Sequence, residues 1–314
     1  LDDSPSDLAV GSGGALFVAG YCSRDFLAHT STMCTLRIDG SSGAVAWVGN
    51  YNAPAGTEAV GVSLVLDAAG NPVTFGHCSS GESRVLCAVK YLAASPTVQW
   101  SFSAGASHFA SISEIGVFGR SGGFTYTAFG CGIFGASLCV MKTNETTGGT
   151  VWVSAFDGEG PLFSGVGSLV PLATGTDIAF SPAGDPIVAG TCSVDPFTNR
   201  ICARKLSAAT GAATWTSTYT SPGGGYADGR AVAVDAAGDA YVTGTCRNAA
   251  GDDDICTVRF AGDTGAVSWS RLRTGTQVAH DEGVAVSVSG STVIATGRCA
   301  NGGTGEDICT TAYA

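Results

Sequence analysis

The side chains best suited to chemistry in this chain are its carboxylates, histidines and cysteines. Asp252-Asp253-Asp254 and Glu306-Asp307 stand between paired cysteines, in segments expected to be loops. Clustered carboxylates on a loop can ligate calcium, a hard cation that takes oxygen donors. The D-x-D-x-D-G order of an EF-hand is missing, so the expectation is a solvated acidic surface and no metal. His29, His77, His108 and His280 are each able to act as a general base. They fall at non-equivalent positions, and no Ser, Asp and His trio assembles from the sequence. Asn144-Glu145-Thr146 is the single N-glycosylation sequon, in a turn expected to be exposed. The sequence therefore nominates no catalytic residue and no cofactor.

The cysteines form a regular set. Twelve of them make six pairs: Cys22/Cys34, Cys78/Cys87, Cys131/Cys139, Cys192/Cys202, Cys246/Cys256 and Cys299/Cys309. Zinc sites want two to four residues between ligands and usually histidine partners. Here 7 to 11 residues intervene and only four histidines exist. Redox chemistry would favour Cys-x-x-Cys or one unpaired thiol, and neither is present. Six structural disulfides are expected, each between cysteines facing one another across the hairpin of the second and third strands, which implies a secreted or lumenal compartment. Closing a loop of this length is worth on the order of 2–3 kcal/mol in the chain-entropy model.

Composition narrows the partners. Only 13% of the 314 residues are charged, against about 25% in ordinary domains, and mean hydropathy is +0.25. The surface must be built from Gly, Ser, Thr and Ala, and is either glycosylated, packed on other copies, or bland. A net charge of −11 with 15 scattered bases excludes a nucleic-acid partner. No run approaches the roughly 18 apolar residues of a membrane helix, and no signal peptide is visible; the opening Leu1-Asp2-Asp3 reads as a mature or trimmed start.

The elements that must position these residues repeat six times. Each repeat opens with a strand ending in a turn, as in Val232-Ala233-Val234-Asp235-Ala236-Ala237-Gly238. A second strand closes on glycine, then the first cysteine follows, as Gly-x-Cys in five repeats and Gly130-Cys131 in the third. A third strand begins around the second cysteine and carries a base three residues on, at Arg37, Lys90, Lys142, Lys205 and Arg259. A fourth strand is marked by Trp47, Trp100, Trp152, Trp215 or Trp269. Period-2 apolar runs, Gly-rich turns and no long 3.6-residue period predict an all-β chain. Four strands in roughly 52 residues is the size of a propeller blade. The expected architecture is a six-bladed β-propeller forming one domain over 1–314, with four-stranded antiparallel blades at roughly 6–52, 58–105, 110–157, 175–220, 229–274 and 282–314. The longer connection from Asp157 to Gly175 is expected to be a loop insertion.

The run from Asp254 to Phe260, then Thr264-Gly265 and Trp269, resembles the repeat of seven-bladed β-propeller repeat (SBBP) proteins and the related quinoprotein-like propellers. Asp39-x₃-Gly43-x₃-Trp47 and Gly211-x₃-Trp215 show the same Gly-x₃-Trp element, and Asp235 to Gly244 is similar to that family's first hairpin. The resemblance spans nearly the whole chain. It implies a propeller, usually extracytoplasmic, with no fixed activity. This chain departs from it in its cysteine pairs and in its six repeats.

The tryptophans are expected to pack blade against blade, and the repeated bases to pair with a neighbouring acid or carbonyl. The last repeat ends within or just after its third strand, so its blade is expected to have three strands, or to be completed by residues after Ala314 or by another molecule. The segment before Leu8 reads as an inter-blade loop. An open edge invites strand addition. The sequence thus favours a non-enzymatic, secreted or surface-displayed module for structure or protein interaction, such as a subunit of a self-assembling polymer, with other subunits or copies of itself as partners. A lectin-like propeller that takes glycans and a hydrolase or lyase with a central-funnel site are the two rivals.

Overall fold

The computed structural model describes residues 3–25, 30–52, 58–80, 83–103, 115–131, 137–156, 173–195, 198–276, 280–303 and 305–314. His29, His108 and most of the 157–175 connection lie outside them. Blade one comprises β1 (Ser4–Val10), β2 (Leu16–Asp25), β3 (Thr30–Ile38) and β4 (Val45–Tyr51). Blade two has β5 (Ala59–Leu66), β6 (Pro72–Ser80), β7 (Ser83–Leu92) and β8 (Ser95–Ser103). Blade three has β9 (Ile115–Ser121), β10 (Phe124–Cys131), β11 (Ser137–Asn144) and β12 (Thr150–Phe156). Blade four follows with β13 (Ala173–Phe180), β14 (Pro186–Asp195), β15 (Thr198–Leu206) and β16 (Ala213–Tyr219). Blade five is β17 (Ala227–Val234), β18 (Ala240–Arg247), β19 (Asp253–Phe260) and β20 (Val267–Arg273). Blade six is β21 (Glu282–Ser289), β22 (Thr292–Asn301) and β23 (Gly305–Tyr313), with no fourth strand among the described residues. Within every sheet the strands are neighbours in chain order.

The chain divides into two compact units, Leu1–Gly135 with Met141–Val151 and Ala136–Val140 with Trp152–Ala314. In the first, a core of Phe17, Ala19, Met33, Trp47, Val89 and Tyr91 fills the space between blades one and two. In the second, Ile187, Ile201, Trp215, Val242, Val258 and Phe260 do the same between blades four and five. Both sets come from alternate positions along their strands, as the period of two requires. Residues 4–7, expected as a loop, are the start of β1, and Asp7 shows why. Its carboxylate accepts from Leu64 N at 2.7 Å and Ser63 Oγ at 2.8 Å, which ties the first strand of blade one to that of blade two.

Every first strand carries one register shift against its second strand. In five blades the extra residue is Ser6, Val62, Thr176, Arg230 or Val284. Such a bulge bends its strand and locally raises the twist. Here it presses a carbonyl onto the glycine of Gly-x-Cys. A Cβ added to Gly76 would lie 1.8 Å from Val60 O, and one on Gly244 or Gly297 would lie 1.9 Å from Asp228 O or Glu282 O. Only glycine fits beneath the bulge.

Candidate interaction site

The staples sit inside the second hairpin, and the two cysteines are not opposite one another as the sequence suggested. The glycine of Gly-x-Cys faces the second cysteine, as Gly76↔Cys87 and Gly244↔Cys256 show. The first cysteine lies two residues further along, opposite Val85 in blade two and Asp254 in blade five. The bond therefore runs diagonally. Cα–Cα distances of 5.6 Å for Cys246–Cys256 and 5.9 Å for Cys78–Cys87 suit a disulfide. Cys22–Cys34, Cys192–Cys202 and Cys299–Cys309 are joined in the same way, Cys131 and Cys139 are also disulfide-bonded, and no free cysteine is found among the described residues.

Because the third strands start well before the second cysteine, the acids expected on loops are in strands. Asp253 and Asp254 belong to β19, and Glu306 and Asp307 to β23. Their neighbours disperse them. Asp253 pairs with Arg247 at 3.0 Å and approaches His280 Nδ1 at 3.5 Å. Asp254 Oδ2 accepts from Asn248 Nδ2 at 2.9 Å and Thr274 Oγ1 at 3.1 Å, while its Oδ1 is buried without a partner. Burial, and then the nearby charges of Asp252 and Asp281, push the Asp254 carboxyl above the usual carboxylate range. No group of three metal-ligating side chains occurs among the described residues. In blade two, burial and then the charge of Arg84 hold His77 below the usual imidazole range.

The remaining charges of blades five and six form a compensated chain. Arg230 binds Asp228 at 2.6 Å and Glu282 at 3.2 Å. Arg298 closes on the other oxygen of Glu282, and that hydrogen bond lowers the Glu282 pKa. Four of the five repeated bases find a partner, and none is found for Arg37 among the described residues. Lys90 Nζ lies 2.6 Å from Asp67 and donates to Glu145 O at 2.7 Å. Lys205 donates to Gly262 O at 3.1 Å, Arg259 pairs with Asp239, and Lys142 sits 3.8 Å from the centroid of the Phe124 ring. Asn144 is half-buried, and its Oδ1 accepts from Thr146 N and Thr147 N at 2.9 and 3.0 Å. The exposed part of that turn is Thr146 and Thr147.

The tryptophans supply the relationship that the sequence could not show. Each indole donates to the blade that follows, at the residue six past that blade's second cysteine. The pairs are Trp47 to Ala93 O at 3.2 Å, Trp100 to Glu145 O at 3.0 Å, Trp152 to Ala208 O at 3.2 Å and Trp215 to Gly262 O at 3.1 Å. The glycine of the next blade's Gly-x₃-Trp then lies flat on the ring. A Cβ on Gly148, Gly211 or Gly265 would come within 2.7 Å of Trp100, Trp152 or Trp215. All three glycines also hold positive φ, between 71° and 74°. The motif thus serves the preceding blade's tryptophan, not its own. Trp269 is the exception. It packs on Tyr241 and Tyr313 at 5.9 and 5.6 Å, but its Nε1 meets no acceptor among the described residues. No strand neighbours the outer edge of β23 among the described residues.

No family model matches this sequence, and no curated protein does. Solved structures do. BamB from Moraxella catarrhalis aligns over 99% of this chain and 87% of its own at 13% identity and a TM-score of 0.51. The quinohemoprotein alcohol dehydrogenase from Comamonas testosteroni aligns over 97% of this chain at 10% identity and a TM-score of 0.57, and the present chain spans 59% of its length. An ulvan lyase of the PL25 polysaccharide lyases, bound to -[GlcA(1-4)Rha3S]-, aligns over 98% of this chain and 78% of its own at 11% identity and a TM-score of 0.50. What this likeness establishes is the fold: the chain is a β-propeller built from six disulfide-stapled blades, five of four strands and a last of three.

Proposed function

We propose that this chain is a non-enzymatic, extracellular protein-interaction module that receives a strand on blade six. The observation that carries the reading is the outer edge of β23 near Trp269, along which no strand lies among the described residues, while the four other tryptophans show what fits such an edge. Strand addition at a free edge uses backbone hydrogen bonds for affinity and side-chain pockets for selection. The four completed sites define what the guest offers: a turn carbonyl for the indole, in three of them a glycine flat on the ring, then an extended strand. The mutual pairing of Asp228, Arg230, Glu282 and Arg298 supports a binding role over catalysis, since it leaves none of these groups free as an acid or base. The disulfides fit an oxidising compartment.

The test is a fluorescein-labelled peptide with the sequence of residues 261–273, which holds the acceptor carbonyl of Gly262, the ring-facing Gly265 and a complete fourth strand. Fluorescence anisotropy is expected to show saturable binding to the intact protein. The same peptide carrying Gly265→Val is expected to bind at least about tenfold more weakly, because its Cβ meets the Trp269 ring. Failure to saturate, or equal binding of the two peptides, would overturn the reading.

A further inference from the structure

The structure buries two of the acids that the sequence expects on a solvated loop. Asp252 is 9% and Asp254 1% exposed, and Asp281, just before β21, is 0% exposed. Side chains of an extended segment alternate between its faces, so the D-x-D order parts the three neighbours. Asp253 turns to the face where Arg247 and His280 meet it. Asp252 and Asp254 share the other face.

Asp281 is held beside them. Its N–H donates to Asp253 O at 2.7 Å, and its carboxylate accepts from Gly275 N at 2.5 Å and Ala300 N at 2.7 Å. Asp254 Oδ2 meanwhile accepts from Thr274 and Asn248. Two carboxylates therefore grip the consecutive residues Thr274 and Gly275. All of these donors are neutral. Among the described residues no Lys, Arg or His pairs with Asp252, Asp254 or Asp281, and Asp254 Oδ1 is buried without any partner. Buried charges in proteins are paired or coordinate metals, because an uncompensated carboxylate is costly to desolvate. This group has the desolvation and lacks the counter-charge.

We propose that Asp252 and the unpartnered Oδ1 of Asp254 bind a calcium ion, with Asp281 adding its charge from beside them. Calcium fits because every donor is a hard oxygen, and its roughly six to eight positions take backbone carbonyls and water beside carboxylates. Magnesium demands a tighter octahedron than side chains fixed at the start of a strand supply. Only two carboxylates ligate directly. Both oxygens of Asp281 already hold amides, and no three acidic side chains converge on one point among the described residues. So low a ligand charge puts the dissociation constant at about 10⁻⁴–10⁻³ M. The site goes beyond the strand-acceptor reading and does not depend on it, since Trp269 and β23 take no part.

The test is thermal melting of the intact protein at neutral pH in EDTA, in about 10 mM CaCl₂ and in about 10 mM MgCl₂, concentrations at least about tenfold above the expected dissociation constant. Calcium is expected to raise the wild-type melting temperature by at least about 2 °C, and magnesium by less than about half as much. Asp254→Asn keeps an oxygen for Asn248 and Thr274, and Asp252→Asn changes the more exposed of the two ligands. Each is expected to lose the calcium response and to bind calcium at least about tenfold more weakly in equilibrium dialysis. Asp263→Asn, at an exposed acid in another turn, is expected to keep both. In EDTA, Asp254→Asn is expected to melt above wild type, and calcium to narrow that gap. No calcium-dependent rise, a rise that both ligand substitutions leave intact, or an equal rise with magnesium would each overturn the proposal. So would a wild type that ignores calcium and is stabilised only by acid, because a proton is then the counter-charge.

Discussion

The indole of Trp215 donates to the carbonyl of Gly262 across the boundary between blades four and five, 3.1 Å away, while Gly265 of the same turn lies on its ring. One side chain thus fixes both the height and the spacing of the next blade. Trp215→Phe keeps most of the apolar area but removes one of the two donors to the buried Gly262 carbonyl, with Lys205 Nζ remaining at 3.1 Å. The expected loss is about 0.5–1.5 kcal/mol. Trp269→Phe, with no such acceptor to orphan, is expected to cost less than about 0.5 kcal/mol. Chemical denaturation of the two variants side by side checks the difference.

Gly76 lies under the carbonyl of the bulged first strand, and any Cβ there would sit 1.8 Å from Val60 O. Backbone, not a flexible side chain, is in the way. Gly76→Ala is therefore expected to destabilise by more than about 3 kcal/mol or to abolish secretion of folded protein. Gly70→Ala, at a positive φ of 80° with open space around it, is expected to cost only about 1 kcal/mol.

The Lys90–Asp67 pair is almost wholly buried, with side chains 6 and 8% exposed. Burial alone would raise the Asp67 pKa, but hydrogen bonds from Lys90 and from the Asn71 amide outweigh it and the net shift is downward. A carboxyl depressed in the fold stabilises above its unfolded value, about 3.9 for Asp, and that stability is lost as pH falls through the folded value. Glu282, held down by Arg298, behaves in the same sense. Stability is expected to decline below about pH 4. Lys90→Met is expected to cost about 3–5 kcal/mol at neutral pH by stranding the buried carboxylate, and Lys90→Met/Asp67→Leu much less. Urea melts from pH 3 to 7 are the measurement.

Asp254 has the opposite sign. Its carboxyl is raised by burial, so the charged form strains the fold at neutral pH and stability rises as pH falls toward its unfolded value. Asp254→Asn retains an oxygen for Asn248 and Thr274 and removes the charge. It is expected to raise the melting temperature at pH 7 and to flatten the pH dependence above about pH 4.

Removing the Cys299–Cys309 bond with a double Ala substitution deletes a staple and the cover of Ile255 together. The expected loss is about 2–4 kcal/mol. Thermal melts of the variant beside the wild type decide it.

The blade period, the first hairpins and the three-stranded last blade were all legible, because glycine at positive φ, paired cysteines and tryptophan recur at fixed offsets. The Gly-x-Cys element was visible as a pattern but not as a cause, since the bulge that demands the glycine lies on another strand. The acids were misplaced into loops for a related reason. Strand ends depend on how far the neighbouring strand continues to pair, and residue type alone does not reveal that at Asp253 or Glu306. The expected facing geometry of the cysteines failed because the register of the second hairpin sets the first cysteine opposite the residue two before the second, as Cys246↔Asp254 shows, and spacing along the chain does not fix that register.

The sequence by itself determined what is repeated: alternating apolar residues that must bury one face, turns that need glycine, and cysteines within reach of each other along one hairpin. These are local requirements, and a single strand or turn already imposes them. Only the tertiary structure decided what each repeat does for the next. That Gly265 serves Trp215 and that Cys299–Cys309 covers Ile255 are contacts between residues about fifty positions apart. Nothing in one repeat specifies its neighbour's face. The packing of successive blades does.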